Sequence, residues 1–108
     1  MLTEQQAEAV VGMLCRAMDC SDNELRGHSN KSALMGIRCR ATQFLRDCGM
    51  SQESIGDALY RCHTTVFHRL QEARKYPPVI LPPDEAELVT KWVTDNGGKA
   101  PAIERGAA

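Results

Sequence analysis

Residues 50–70 constrain this chain more than any other stretch, because two short segments of helical periodicity are separated by three residues. Ser51 is a good N-cap, since its hydroxyl can accept from an orphan amide of the first turn. Ile55, Ala58 and Leu59 then recur at helical spacing as a buried stripe. Gly56 stands where a small residue lets a second backbone approach. After Tyr60-Arg61-Cys62 a second helix is expected to begin near His63 or Thr64, with Val66, Leu70 and Ala73 on its inner face. So short a break forces the helices against each other, and the pattern is that of a helix-turn-helix, whose second helix enters a DNA major groove. An ordinary helical hairpin that touches no nucleic acid would bury the same stripes.

The remainder of the chain agrees with an all-α reading. Its 108 residues suffice for one small core. The apolar set is rich in Ala, Val, Leu, Ile, Met and Cys with five aromatics, which suits helix packing better than a sheet. Thr3 with Gln6, and Ser21 with Glu24, are capping-box signatures. The first opens a helix to about Met18, with Ala7, Val10, Val11, Leu14 and Met18 on one face; the second opens a short helix ended by Gly27. His28-Ser29-Asn30-Lys31 reads as a polar loop. Ser32 is the expected cap of a helix to about Cys48, with Leu34, Ile37, Ala41, Phe44, Leu45 and Cys48 inward and Gly49 ending it.

Four prolines exclude helix from residues 76–83, so that segment is expected to run extended over the surface, burying Val79, Ile80 and Leu81. A last helix follows over 84–95, with acid at its positive end, Leu88, Val89, Trp92 and Val93 on its apolar face, and Asn96-Gly97-Gly98 as its stop. The expected architecture is thus a small helical bundle over 1–98. N-terminal helices occupy 3–27, the helix-turn-helix core about 32–75 and the C-terminal helix 84–95, and 99–108 form a flexible tail.

Net charge is -1, yet it is unevenly spread. Residues 31–75 carry +4, against -3 for 1–30 and -2 for 76–108, which places the positive charge on the helix-turn-helix segment. Attraction to a phosphate backbone needs that placement. Lys31, Arg38 and Arg40 are expected near the start or on the outer face of their helix, where they could meet phosphates or simply face solvent. There is no apolar run long enough to span a bilayer and no basic-then-apolar leader, so no membrane association and a cytoplasmic location are expected.

An odd number of cysteines, five, argues for free thiols in such a setting. Cys15 and Cys20 are the nearest pair and no C-x-x-C occurs, so neither a metal site nor a cofactor is expected. His63 and His68 have no orienting third group nearby in sequence, and no enzymatic constellation emerges.

Ile55-Gly56-Asp57-Ala58-Leu59, followed by His63-Thr64-Thr65-Val66-Phe67-His68, resembles the C-terminal DNA-binding domain of the bacterial chromosomal replication initiator, DnaA. That family carries an isoleucine-glycine pair, then a His-Thr-Thr-Val run, then a histidine two places on. Arg38-Cys39-Arg40 looks like its Arg-Pro-Arg basic loop. The likeness covers about residues 31–75. It implies that His63 and Thr64 read base edges, that Thr65 contacts a phosphate or base, and that Arg38 and Arg40 hold backbone or minor groove. Lys31, Arg61, His68 and Arg69 complete the expected DNA-binding set.

Two departures stand out: the turn is one residue shorter than the family's, and Arg61-Cys62 replaces an arginine-aspartate pair. These 108 residues also hold no Gly-x-x-x-x-Gly-Lys-Ser/Thr loop, so the likeness is expected to be that of a free-standing DNA-binding part. The expected partner is double-stranded DNA, in replication control or transcription regulation. Alternatives are a protein-interaction adaptor using the acidic flanking helices, or a small phage regulatory or packaging subunit. Residues 84–95 could serve a homodimer or a protein partner, Trp92 being of a type favoured at contact centres.

Overall fold

Reciprocal caps start the first two helices. In the computed structural model, which describes residues 2–29 and 31–106, the Thr3 hydroxyl accepts from the Gln6 amide and the Gln6 side chain accepts from the Thr3 amide. The same exchange joins Ser21 and Glu24. Each capping box satisfies two otherwise orphaned donors. They open α1 (Glu4–Ala17) and α2 (Asp22–Arg26), and α3 follows over Ala33–Asp47. Ser32 precedes α3 but makes no side-chain cap, because its own backbone is already helical. Gly49 leaves α3 with φ +94, a conformation that suits glycine.

The helix-turn-helix elements are α4 (Gln52–Leu59) and α5 (His63–Glu72), prolonged by a 3-10 turn over Ala73–Lys75. Ser51 caps α4 as expected, its Oγ accepting from the Ser54 amide at 3.1 Å. α5 packs chiefly on α3 and α4, and α1 also packs on α3 and α4. The shared core contains Val10, Val11, Leu14, Leu25, Phe44, Leu45, Ile55, Leu59 and Val66. The apolar stripes expected of these helices are therefore the ones that become buried. The fold is mainly α: six α-helices among the described residues, with one short two-stranded sheet.

That sheet was not expected. Val79–Leu81 forms β1, α6 (Pro83–Asp95) crosses over, and Ile103–Arg105 returns as β2, parallel to β1 and pairing Val79 with Ile103 and Leu81 with Arg105. Parallel strands need a crossover, and α6 supplies it.

Residues 103–105 are consequently a paired strand rather than part of a flexible tail. Two further bonds tie the segment down: the Lys99 amide donates to the Cys48 carbonyl and the Gly106 amide to the Leu81 carbonyl, both at 2.9 Å. Ile80 is a second correction. Strand alternation buries Val79 and Leu81 but turns Ile80 outward, leaving it 49% exposed. Leu88, expected on the apolar face of α6, is 68% exposed, while Ala86 and Val93 are its buried residues. Asn30 of the polar loop and residues 107–108 of the expected tail lie outside the described residues. No described helix is long and apolar enough to cross a membrane.

Candidate nucleic-acid interface

The turn between α4 and α5 is held from several sides. Tyr60 ends α4 in the left-handed region (φ 57, ψ 46), which a non-glycine residue enters at a cost of about 1–2 kcal/mol. Its amide and that of Arg61 both donate to the Gly56 carbonyl, the latter at 2.9 Å. Gly56 is small for a steric reason: a Cβ there would lie 2.5 Å from the Arg61 carbonyl oxygen.

The Arg26 guanidinium sits 4.5 Å over the Tyr60 ring, and its Nε donates to the Ala58 carbonyl at 2.9 Å. A cation is thereby placed on carbonyls that the end of α4 leaves without helical partners. Arg26 also pairs with Glu8 at 2.7 Å and Asp22 at 2.8 Å. Burial opposes its charge, but the bond and charge of Glu8, with Asp22, outweigh burial and raise its pKa. Arg26 thus fastens α1 and α2 to the turn. Sequence reasoning missed this arginine, since nothing local to Asp22–Arg26 points to residue 58 or 60.

Beyond the turn, Cys62 takes the N-cap position of α5, with extended backbone (φ -69, ψ 158) and its Sγ 3.4 Å from the Thr65 hydroxyl. Hydrogen bonds from the Thr65 hydroxyl, and then from its amide, hold the Cys62 thiol below the usual thiol range. The remaining α5 side chains divide cleanly by helical position. Val66 and Arg69 are buried and Leu70 is partly so, whereas His63, Thr64, Phe67, His68 and Gln71 are exposed and Thr65 lies at the boundary.

Phe67 is 46% exposed and meets the His68 ring edge-on, with centroids 5.8 Å apart. Such an arrangement is favourable for aromatic pairs. Phe67 and Gln71 were absent from the expected DNA-binding set. Helical spacing from His63 and Thr64 would have placed both on the same outward face.

The basic residues depart more from expectation. Lys31 is exposed, as is Arg74; Arg40 is half-buried with Nε donating to the Gly36 carbonyl at 3.3 Å. Arg61 is half-buried, donating from Nη1 to the Tyr60 carbonyl at 2.8 Å and from Nη2 to the Gly27 carbonyl.

Arg38 does not lie on an outer face. It is 4% exposed, with Nε on the Glu24 carbonyl at 3.1 Å and Nη1 on the Ser29 carbonyl at 2.6 Å. The carbonyls at the end of α2 and in the α2–α3 connection need donors, and Arg38 supplies them. Arg69 is 8% exposed, since residue 69 falls three positions after Val66 on the same inner face. Burial first, then the charges of Arg61 and Arg38, lower its pKa. Two of the eight basic side chains of residues 31–75, Arg38 and Arg69, are therefore withdrawn from the outward surface. Comparison with family models, curated proteins and solved structures finds no match for this chain.

α6 and α1 border a groove of about 500 Å³ lined by Met13, Arg16, Leu81, Glu85, Leu88 and Trp92. No cluster of three or more potential metal ligands occurs among the described residues.

Proposed function

We propose that this chain binds double-stranded DNA sequence-specifically by laying α5 in the major groove, and that it acts in replication control or transcription regulation. The observation that carries the proposal is the outward strip His63, Thr64, Phe67 and His68 on a helix whose opposite side, Val66 and Leu70, is packed into the core. Threonine can offer a methyl to thymine and a hydroxyl to base or phosphate, and histidine can donate to guanine or accept from an amino group. The rigid turn at Gly56 and Tyr60 fixes the angle at which that strip is presented, as groove docking requires. The resemblance to the DnaA DNA-binding domain supports the same assignment. Lys31, Arg40, Arg61 and Arg74 are among the exposed or half-buried cations that can meet phosphates.

The test is a mobility-shift series after selection of a preferred site from random DNA. His63→Ala with Thr64→Ala should remove site preference, each lost base contact being worth about 1–3 kcal/mol. Arg74→Ala should weaken all duplexes alike and reduce the salt slope by about one. Unchanged site preference in the double variant would defeat the proposal.

A protein-adaptor or homodimer reading draws on a different observation, the exposed Leu88 beside Trp92 on α6. A chain with no duplex affinity at low salt that retains a protein partner lost on Leu88→Glu would favour it.

A further inference from the structure

Arg38 and Arg61 lie within electrostatic reach of Arg69, and none of the three is paired with an acid among the described residues. Arg38 and Arg61 both reach the α2–α3 connection, at Ser29 and Gly27, and both act electrostatically on Arg69. The ion pairs among the described residues belong elsewhere: Arg26 with Glu8 and Asp22, and Lys75 with Glu72. Arg38 Nη2 and Arg69 Nη1 are buried and have no hydrogen-bond partner among the described residues.

Buried guanidinium groups stay protonated and are costly unless paired. Water could satisfy the spare N–H groups but would leave the clustered like charge uncompensated. An anion answers both needs.

We infer that Arg38, Arg61 and Arg69 form a binding site for a phosphate group, between the α2–α3 connection, the α4–α5 turn and α5. Guanidinium forks match phosphate oxygens, and a tetrahedral anion can accept from three of them at once, which a planar carboxylate does less well. Arg61 is the half-buried member and is held by backbone carbonyls alone, so its side chain is the movable edge of the site. The phosphate can be a free ion or a phosphodiester of duplex DNA. The second source rests on the proposed DNA binding; the first does not.

The test uses the full chain in sodium phosphate and in sodium chloride at equal ionic strength and pH, followed by thermal denaturation and titration calorimetry with inorganic phosphate. Wild type should show a saturable Tm rise of several degrees in phosphate, as ligand linkage requires. Arg61→Gln should weaken phosphate binding at least tenfold. Arg69→Met should abolish the rise and, by removing an unpaired charge at similar volume, melt higher than wild type in chloride.

Identical Tm in the two salts with no calorimetric signal, or a full response in Arg61→Gln, overturns the site; neither result depends on whether Arg69→Met folds. Loss of phosphate binding on adding duplex marks the DNA backbone as the source, and retention marks the free ion. The His63→Ala, Thr64→Ala double variant should keep the phosphate response. A chain without DNA affinity that still responds to phosphate therefore removes the DNA proposal and leaves the site standing.

Discussion

Two glycines in helices of this protein should respond in opposite ways to the same substitution. An alanine Cβ at position 56 would stand 2.5 Å from the Arg61 carbonyl oxygen, nearly an ångström inside ordinary contact, with Val66 Cγ2 at 3.8 Å. The obstructing atom is backbone in a three-residue turn, so the strain must displace the turn itself. Overpacking of this kind costs about 1–3 kcal/mol, and alanine's better helix propensity returns about 1. Gly56→Ala should therefore lose about 1–2 kcal/mol after allowing for the backbone nature of the clash, a Tm drop of about 5–10 °C for a chain this size.

At Gly12, inside α1, a new Cβ would meet Arg16 Nη1 at 3.9 Å, an ordinary contact. Gly12→Ala should gain up to about 1 kcal/mol, or roughly 2–5 °C. Far-UV circular dichroism during heating, with urea titration for the free energy, measures both. If Gly56→Ala melts at or above wild type, or moves in the same direction as Gly12→Ala, the close approach of the turn to α4 does not exist as described. Because that approach sets the angle of α5, Gly56→Ala should also reduce duplex affinity at temperatures where it remains folded.

Arg26→Ala should cost about 2–3 kcal/mol, since it removes a charged donor to the Ala58 carbonyl and the cation over Tyr60. Glu8→Gln and Asp22→Asn, which touch the exposed ends of the same cluster, should each cost less than about 1 kcal/mol by urea denaturation. Cys62 should be the first thiol alkylated by iodoacetamide near neutral pH, being exposed with a lowered pKa. Cys48 should be among the slowest, since burial pushes its thiol up to about 12; Cys20 is raised to about 11 by burial and the neighbouring Cys15. Peptide mass spectrometry gives the order, and duplex DNA should protect Cys62.

Ser21→Ala should lose about 1 kcal/mol through its N-cap. In the wild type, bonds from the Ser21 amide and hydroxyl lower the Glu24 pKa, so that carboxylate's contribution is present above its unfolded pKa and disappears as pH falls through the lower folded value. Ser21→Ala keeps the amide, the larger cause, and removes the hydroxyl's share, so the acid arm of its stability curve should flatten only in part.

What the sequence determined by itself was local. Thr3, Ser21 and Ser51 announce helix starts because their partners stand three residues away, and the stripes of α1, α3, α4 and α5 are visible because burial repeats with the helical period. The outward strip of His63, Thr64 and His68 was legible for the same reason, being the complement of Val66 and Leu70. Tertiary structure decided everything that joins distant residues. Parallel pairing of Ile103–Arg105 with Val79–Leu81 gives no short-range signal, because the strands are three residues long and α6 separates them. The fate of each arginine was likewise undetermined locally: Arg26, Arg38 and Arg69 look like surface cations in the chain, and became buried where backbone carbonyls of other segments needed donors or where the helix turned them inward. A charge count cannot distinguish these from Lys31 or Arg74, since the partners that bury an arginine are supplied by elements it meets only after folding.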